Sequence, residues 1–565
     1  MPESHKSERI SVTTSLHHLS PYWNASVLCI PMILYTLGGF VGQLATAKRI
    51  SIDAAWRTAR IASLTSVLFA MACCSIAFLH ATSLVEAPRI DSLARFGIWH
   101  LSFRFDVVES LMLLLVSFLG WVIVSYSRAY MAGDPREPSY VAHLMLTLAS
   151  VSLLVVTNSL VLFLAAWVLT SFSLHGLLTL YPDRQAAVIA AHKKFLASRL
   201  GDLTLLFAVI RLGLETGSLE IDEIARQLSK PDPISASIHL AAILLAISAI
   251  IKCAQLPLHG WLIQVMEAPT PVSALLHAGV VNLGGFMLIR LAPVINTTRT
   301  AQELLVGIGC LTAVIGSLVM TTRISIKVNL AWSTCAQMGF MLMECGLGLY
   351  GLAFLHLLAH SLYKAYAFLG SGDTVNQAKL KRMMPTNPKV GLSGLLISGI
   401  SGILLAFLAA VLWRASVLSG ALGLFCVPVV GLAIAGILSG TVSMRSLTAS
   451  LILSTAAISI GIVYFGFDRL FHELLPIQRS SQAQQGPFLI VCVICFVLLY
   501  GIQMIVRLHP TGALASALYP WLYAGLYLDE LFTRATFRVW PANRVSKVPP
   551  LRDATQPFAA SGVKL

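Results

Sequence analysis

The chain has 565 residues, of which 57% are hydrophobic and only 11% are charged, whereas soluble proteins carry roughly 25% charged residues. Its mean hydropathy of +0.80 excludes a water-soluble fold and predicts a protein built in the lipid bilayer. The net charge of +14 is assigned to loops that face the cytoplasm, because such loops are rich in Lys and Arg, and nucleic acid is therefore not an expected partner.

Apolar windows of about 20 residues, the length of a membrane-spanning helix, follow one another along most of the chain. They are continuously apolar rather than alternating, which predicts helices and not a β-barrel. The expected fold class is an all-α polytopic membrane protein with roughly 15 transmembrane helices, in a range of about 13 to 17. The predicted spans are 23–45, 60–82, 107–127, 139–157, 159–181, 195–214, 234–256, 271–293, 302–320, 326–346, 350–371, 390–413, 418–441, 446–467 and 487–507.

Three regions are expected along the chain. A polar N-terminal segment, residues 1–22, precedes a transmembrane helical domain over residues 23–510 and an interfacial or cytoplasmic segment over residues 511–565. Alternate loops are basic, and one of them is assigned Arg184, Lys193 and Lys194. This alternation predicts an N-terminus outside and a C-terminus in the cytoplasm. The stretch ALYPWLYAGLYLDELFTRATFRVWP fits an amphipathic helix in the membrane interface or part of a sixteenth span.

Lys252 lies about eighteen residues into an apolar run and five residues before Pro257. Ionisable residues inside the bilayer are costly and usually mark an ion or proton path. Proline interrupts a helix, and an interrupted helix exposes backbone dipoles that hold water or ions. Lys252 is thus a candidate proton carrier, and the alternative is a lysine that extends its charge to the interface.

His356, His360 and Lys364 recur at steps of four, which places them on one helical stripe. Histidine titrates near neutrality and has two ring nitrogens, so the stripe resembles a proton wire. A zinc site and a satisfied structural histidine pair are the alternatives, although no third metal ligand adjoins the stripe.

Further candidates lie near proline breaks or at helix ends. His277 follows the breaks predicted at Pro269 and Pro271, and Lys327 opens the window 326–346, where a cytoplasmic helix end would also explain it. The carboxylates available to pair with these cations are Glu267, Asp202 and Asp106. Arg199 precedes Asp202 by one helical turn, so that pair could be structural.

The stretch KCAQLPLHGWLIQVMEAPTPVSALLHAGVVNLGGFMLIR resembles a signature of the proton-translocating antiporter-like subunits of complex I (the NuoL type), membrane hydrogenases and Mrp antiporters. IKVNLAWSTCAQMGFM and HLLAHSLYKAYAFLGSG are similar to the next two signature helices, and the resemblance covers about residues 100–375. It implies inverted five-helix repeats with broken helices and a hydrated polar axis. The resemblance implies that Lys252 takes the central position in that axis. Lys327, His356, His360 and Lys364 extend the axis, and His277 links them to Lys252.

Two features depart from the family pattern. A glutamate is expected after Trp167, where this chain has Val168, so Glu267, Asp202 and His175, in that order, are candidate substitutes. The second repeat also lacks a recognisable broken helix with a charged gate. Both departures favour the membrane subunits of the DAB inorganic-carbon accumulation complexes over a complete complex I module.

The resemblance implies a proton- or sodium-conducting subunit of a bacterial inner-membrane complex for inorganic-carbon uptake. Its expected partner is a large cytoplasmic zinc protein of the DabA type, similar to carbonic anhydrase, that hydrates CO2 to bicarbonate. This chain is expected to be no enzyme and to hold no metal or other cofactor, with zinc in the partner. The alternatives are a pump or antiporter subunit of a complex I-like, hydrogenase or Mrp complex, and a membrane anchor that conducts nothing.

Overall fold

A computed structural model describes residues 28–82, 95–96, 99–100, 102–230, 233–374, 391–413, 422–442, 447–474 and 486–540. The predicted polar segment 1–22 lies outside these residues, as does the tail beyond 540. The strands among the described residues are β1 (Arg95–Phe96) and β2 (Trp99–His100), which pair antiparallel with Arg95 opposite His100. The rest of the described chain is helices and short connections.

The helices of the first half precede and include the first interrupted segment. They are α1 (Ile30–Thr46), α2 (Ile52–Thr82), α3 (Val107–Tyr130), α4 (Glu137–Val156), α5 (Leu160–Leu178), α6 (Gln185–Thr216), α7 (Ile221–Leu228), α8 (Ala236–Lys252) and α9 (Gly260–Gln264).

The helices of the second half begin with the other interrupted segment. They are α10 (Thr270–Ala278), α11 (Leu283–Arg290), α12 (Ala292–Ile295), α13 (Arg299–Met320), α14 (Ile326–Gly346), α15 (Tyr350–Leu369), α16 (Leu392–Leu412), α17 (Val427–Val442), α18 (Leu447–Leu474), α19 (Gly486–Leu508), α20 (Ala513–Tyr523) and α21 (Leu528–Val539).

Each predicted window overlaps a helix, and in the described part of the chain eleven helices are long and apolar enough to cross a membrane. The fold is therefore that of a polytopic helical membrane protein. Many side chains exposed on its flanks are apolar, such as Ile61, Leu68 and Ile400, as expected where lipid surrounds a bundle. The number of fifteen spans and the orientation of the termini stay predictions.

Small residues let α13 and α14 approach closely. A methyl group on Gly309 would lie 2.5 Å from the carbonyl oxygen of Gly339, and one on Gly339 would lie 2.6 Å from that of Gly309. Such contacts replace the hydrophobic driving force that helices lack in lipid. The pair α13 and α14 thus joins a first hydrophobic cluster, built mainly on α1 to α15, to a second one that includes α16 to α19.

The helix α8 ends at Lys252, and the chain leaves helical geometry before Pro257. Ala254 has a φ of +51°, which L side chains adopt at a cost. Nearby side chains satisfy the freed backbone groups, because Gln255 donates to the Cys253 carbonyl at 2.8 Å and the Leu256 amide donates to Thr312 at 3.2 Å. Irregular backbone at this depth requires such partners.

The second interruption differs from its prediction. Pro269 caps α10 and Pro271 lies in its first turn, a position where proline is tolerated, so both prolines mark a helix start. The interruption inside the span lies at Val280–Asn282, between α10 and α11. Asn282 donates to the Ala278 carbonyl at 2.9 Å and to Ser361 of α15 at 2.7 Å. The two interruptions meet where the Cys253 thiol donates to the Val281 carbonyl at 3.3 Å.

Candidate functional site

The two ends of the helix bundle are each named after one residue that lies there. The Asp529 face carries α9, the start of α14 and α21, and the Arg290 face carries the ends of α4 and α11. The loop charges predict that the Asp529 face is cytoplasmic.

Lys252 is the last residue of α8 and is buried beside the interruption. Its Nζ atom lies 4.3 Å from the centre of the Trp167 ring, a cation–π distance. The C-terminal end of α8 also carries partial negative charge that favours an ammonium. Among the described residues no carboxylate lies within salt-bridge distance of Lys252, so its close contacts are the ring and the helix end.

The carboxylate whose charge acts on Lys252 is Asp202 of α6. Asp202 itself pairs with Arg199 at 2.7 Å. Of the two proposed substitutes whose side chains the structure describes, Asp202 and His175, Asp202 is the one whose charge acts on Lys252. Glu267 ends a short 3-10 helix, and its side chain is outside the described set.

The remaining two acidic or basic candidates lie elsewhere. His175 of α5 packs against Phe195, with ring centres 5.2 Å apart, and it interacts electrostatically with Lys194. Asp106 caps α3, where it accepts the Val108 amide at 2.8 Å and pairs with Arg104 at 2.9 Å. These contacts place Asp106 at the Arg290 face, in a capping role.

Two lysines that the sequence assigned to a loop are buried in α6. The Lys194 Nζ atom donates to the carbonyl and hydroxyl oxygens of Ser171 at 2.6 Å and 2.9 Å. Lys194, Lys252 and Trp167 line a cavity of about 10 Å³, roughly the space that one water requires. Lys194 is therefore a site residue that counting loop charges does not find. The sequence around it mixes apolar and polar residues, as an amphipathic helix does, whereas a loop would be mainly polar.

A second group of ionisable residues lies between α10, α14 and α15. The Nδ1 atom of His277 is 3.1 Å from the Thr334 hydroxyl, and the ring stacks on Phe368 at 4.5 Å. Lys364 donates to the carbonyl of Leu330, one turn before Thr334, at 3.0 Å. His277 and Lys364 act on each other electrostatically. The structure thus brings these two predicted residues together.

The histidine stripe of α15 continues this group. His360 is buried, and within the described residues no protein group hydrogen-bonds to either of its ring nitrogens, an arrangement that favours hydration of the ring. The ring centres of His356 and His360 are 6.2 Å apart, so their ring nitrogens are too far apart for a direct hydrogen bond. Proton transfer between the two rings would therefore need a bridging water or a rotation of a ring.

Lys327 occupies the Asp529 face. It lies in the first turn of α14 and donates to the hydroxyl of Thr270, the first residue of α10, at 3.0 Å. It is therefore not in contact with the histidine stripe, and its position agrees with the helix-end alternative as well as with an entry site.

The C-terminal segment packs onto this face. Asp529 of α21 accepts hydrogen bonds from Lys193 and Gln264, each at 2.8 Å, and a side chain on Gly260 would overlap its carboxylate. Helices α20 and α21 have 11 and 12 residues, fewer than the roughly 20 that span a bilayer. They form a clamp over α6 and α9, beside the interrupted helix.

We expect Asp529→Asn to loosen this clamp, because it leaves the fully buried Lys193 ammonium without its counter-charge. Loss of one partner of a buried hydrogen bond costs about 1 to 3 kcal/mol, so trypsin cleavage at Arg534 should accelerate roughly 5- to 160-fold. Glu530→Gln, which removes only an exposed pair with Arg534, is the matched control and should change the rate little. Equal cleavage of both variants would show that the clamp does not depend on Asp529.

A buried ion pair fastens the Arg290 face. Arg290 and Glu109 lie 2.6 Å apart, each with only 2% of its side chain exposed. Arg290 also donates to the carbonyls of Val155 and Thr157 at 2.9 Å and 2.8 Å, which are free because α4 ends there. This pair joins α3, α4 and α11, and it is structural.

Comparisons with known proteins identify the family and the fold of the chain. The family described as NADH:quinone oxidoreductase/Mrp antiporter, TM, matches residues 157–395, and the family of the N-terminus of NADH-ubiquinone oxidoreductase (complex I) chain 5 matches residues 98–141. The chain is 38% identical over 516 residues to the probable inorganic carbon transporter subunit DabB of Hydrogenovibrio crunogenus, covering 91% of this chain and 94% of that one.

More distant relatives cover less of the chain. NAD(P)H-quinone oxidoreductase chain 5 of a Synechocystis species is 35% identical over 287 residues, 50% of this chain and 42% of that protein. A chain in the Mrp complex of a Dietzia species has a TM-score of 0.51 at 22% identity, over 91% of this chain and 55% of that one. A chain of an archaeal membrane-bound sulfane sulfur reductase has a TM-score of 0.54 at 17% identity, over 91% and 99%. The two structures establish the shared fold.

Proposed function

Because the chain belongs to the NADH:quinone oxidoreductase/Mrp antiporter family of membrane subunits, and is related along most of its length to DabB, we propose that it is the proton-conducting subunit of an inorganic-carbon uptake complex. The proposal places it in a bacterial cytoplasmic membrane with a soluble partner of the DabA type. Membership in the family makes the chain a membrane transport subunit, and the ion, the partner and the coupling belong to the proposal.

One observation supports conduction most strongly. Four ionisable side chains are buried inside the bundle and a fifth, His356, is partly buried beside them, on three helical segments that meet at the two interruptions. The buried four are Lys252, His277, Lys364 and His360. Groups of this kind are rare in the membrane interior and mark ion pathways. A chain that only anchored a soluble enzyme would have no use for these groups, whose burial in the membrane costs free energy.

The chemistry of this row favours protons over sodium. Amines and imidazoles bind and release protons, and imidazole passes them between its two nitrogens. Sodium sites in transporters use backbone carbonyls and similar oxygen ligands. Among the carboxylates that the structure describes beside the row, Asp202 and Glu344 already face Arg199 and His356. We therefore infer that protons are the conducted ion.

In the proposed direction, protons enter from the Arg290 face, pass His356 and His360, and reach His277, Lys364 and then Lys252. They leave through the cavity shared by Lys252 and Lys194 toward the Asp529 face. The zinc-bearing partner would there convert CO2 and water to bicarbonate and a proton, both released to the cytoplasm. The free energy of inward proton flow, coupled to the partner through the protein, would draw this reaction toward product and retain carbon in the cell. All hydration chemistry in this proposal belongs to the partner chain.

Affinity purification of the chain from its native host, followed by mass spectrometry and metal analysis, tests the proposed complex. We expect a large soluble protein with stoichiometric zinc to elute with it. Recovery of quinone-oxidoreductase or hydrogenase subunits in its place would contradict the inorganic-carbon assignment and support the pump or antiporter alternative.

A further inference from the structure

Glu344 is a buried carboxylate that the row described above does not include. It lies near the end of α14, has no exposed surface, and is surrounded by apolar helices. A carboxylate in such a place costs several kcal/mol unless it is paired or neutral, and inside a membrane it usually has a function.

The closest partner of Glu344 is a member of the histidine stripe. The Nδ1 atom of His356 lies 3.0 Å from its Oε2 atom, and the Tyr464 hydroxyl of α18 donates to Oε1 at 3.4 Å. Other ionisable groups near this site are His360 behind His356, and Cys426 and Asp468, which act on Tyr464. Glu344 is thus connected to the row through an imidazole.

The pair differs from the structural ion pair at the Arg290 face. There, a guanidinium that stays charged holds Glu109 and also closes two backbone carbonyls. At Glu344 the partner is an imidazole, which can pass a proton between its two nitrogens, in place of a guanidinium. A carboxyl–imidazole pair is therefore better suited to proton transfer than to holding helices together.

Its place in the fold extends the row in one direction. Lys327 lies on the Asp529 face, and Glu344 comes seventeen residues later on the same helix, about 26 Å away at 1.5 Å per residue. Because α15 runs back, Lys364, His360 and His356 follow one another toward Glu344. Its neighbours in α14 divide between the hydrophobic clusters, Cys345 in the first and Met343 in the second, so Glu344 lies at their seam.

We propose that Glu344 is a proton-binding residue that connects His356 with the membrane side opposite the Asp529 face. The proposal rests on the proposed function and adds a residue to its path. In the inward direction, the Glu344 carboxyl gives its proton to one nitrogen of His356, and the other nitrogen releases its proton toward His360. Glu344 is left as a carboxylate and regains a proton from the opposite side along the seam lined by Tyr464.

The test uses the whole complex in lipid vesicles with a pH-sensitive dye inside, a potassium gradient with valinomycin, and CO2 supplied. We expect Glu344→Gln, which keeps the size and a hydrogen-bond acceptor, to lower the proton flux at least about tenfold, a barrier increase of about 1.4 kcal/mol. Glu344→Asp, which keeps the titrating group, should retain more flux than Glu344→Gln. Glu303→Gln, a matched change at a partly exposed pair on α13, should leave the flux unchanged.

The outcomes separate this inference from the proposed function. Wild-type flux that Lys252→Ala abolishes, together with unchanged flux in Glu344→Gln, would overturn the role of Glu344 and keep the proposed function. Absence of flux in the wild-type complex would overturn the proposed function itself.

Wild-type protein provides a second measurement in case Glu344→Gln does not assemble. A hydrophobic carbodiimide modifies carboxyl groups that are protonated and buried, and peptide mass spectrometry gives the modified fraction at Glu344. We expect the flux to fall in proportion to that fraction. Complete modification at Glu344 with unchanged flux would overturn the inference.

Discussion

Cells in which the complex carries Lys252→Ala are expected to accumulate inorganic carbon no faster than cells without the complex. The substitution removes the ammonium that lies over the Trp167 ring and whose charge acts on Asp202, while Asp202 keeps its ion pair with Arg199. In the proposed path Lys252 is the last carrier before the cavity that it shares with Lys194, and alanine cannot bind a proton, so proton transfer should stop at this step. Uptake of labelled bicarbonate and CO2 in a host lacking its own carbonic anhydrase measures this effect.

The matched control for this experiment is Lys230→Ala, because Lys230 is an exposed lysine on the loop between α7 and α8. We expect its uptake to stay within about twofold of wild type, since single surface substitutions rarely matter. Normal uptake by an assembled Lys252→Ala complex would contradict conduction through this chain and favour the membrane-anchor alternative.

The second large effect is expected on stability. Arg290→Met leaves the buried Glu109 carboxylate with only the more distant Arg104, at 3.7 Å, as a counter-charge, and it frees the carbonyls of Val155 and Thr157. Breaking a buried ion pair on one side costs about 3 to 5 kcal/mol, so the folded fraction and the thermal midpoint of the detergent-solubilised protein should fall sharply. Fluorescence-detected size exclusion after a temperature series measures both.

Two further variants define the cause of that loss. Arg299→Met removes an exposed partner of Glu303 and should cost less than about 1 kcal/mol. The double variant Glu109→Gln with Arg290→Met contains no unpaired charge and should be more stable than Arg290→Met alone. A double variant as unstable as the single one would show that the carbonyl contacts of Arg290, rather than its charge pair, hold the Arg290 face.

Hydropathy predicted the helical architecture well because a membrane span must be long, apolar and internally hydrogen-bonded. The windows 107–127 and 326–346 begin where α3 and α14 begin, and the apolar run before Lys252 ends at an interruption of the helix. The position of the second interruption could not be predicted in this way. Proline was expected to mark it, whereas the backbone departs from the helix at Val280–Asn282, where Asn282 and Ser361 supply the partners.

The candidate site was predicted in part. His356, His360 and Lys364 share a face because helical periodicity alone decides it, and the structure places His277 close to Lys364. The partners across helices could not be predicted, because spacing along one chain does not show which helices pack together. Lys194 was assigned to a loop since α6 begins ten residues before its predicted span. Glu344 was overlooked, although an acid within an apolar window is itself a signal.

Measuring proton flux through the purified complex in vesicles is the most direct test of whether this chain conducts protons by way of Lys252. Under an imposed membrane potential and with CO2 supplied, we expect wild type and Lys230→Ala to change the internal pH at the same rate, at least about tenfold faster than Lys252→Ala. A wild-type rate equal to that of empty vesicles, or a Lys252→Ala rate equal to that of wild type, would contradict this expectation.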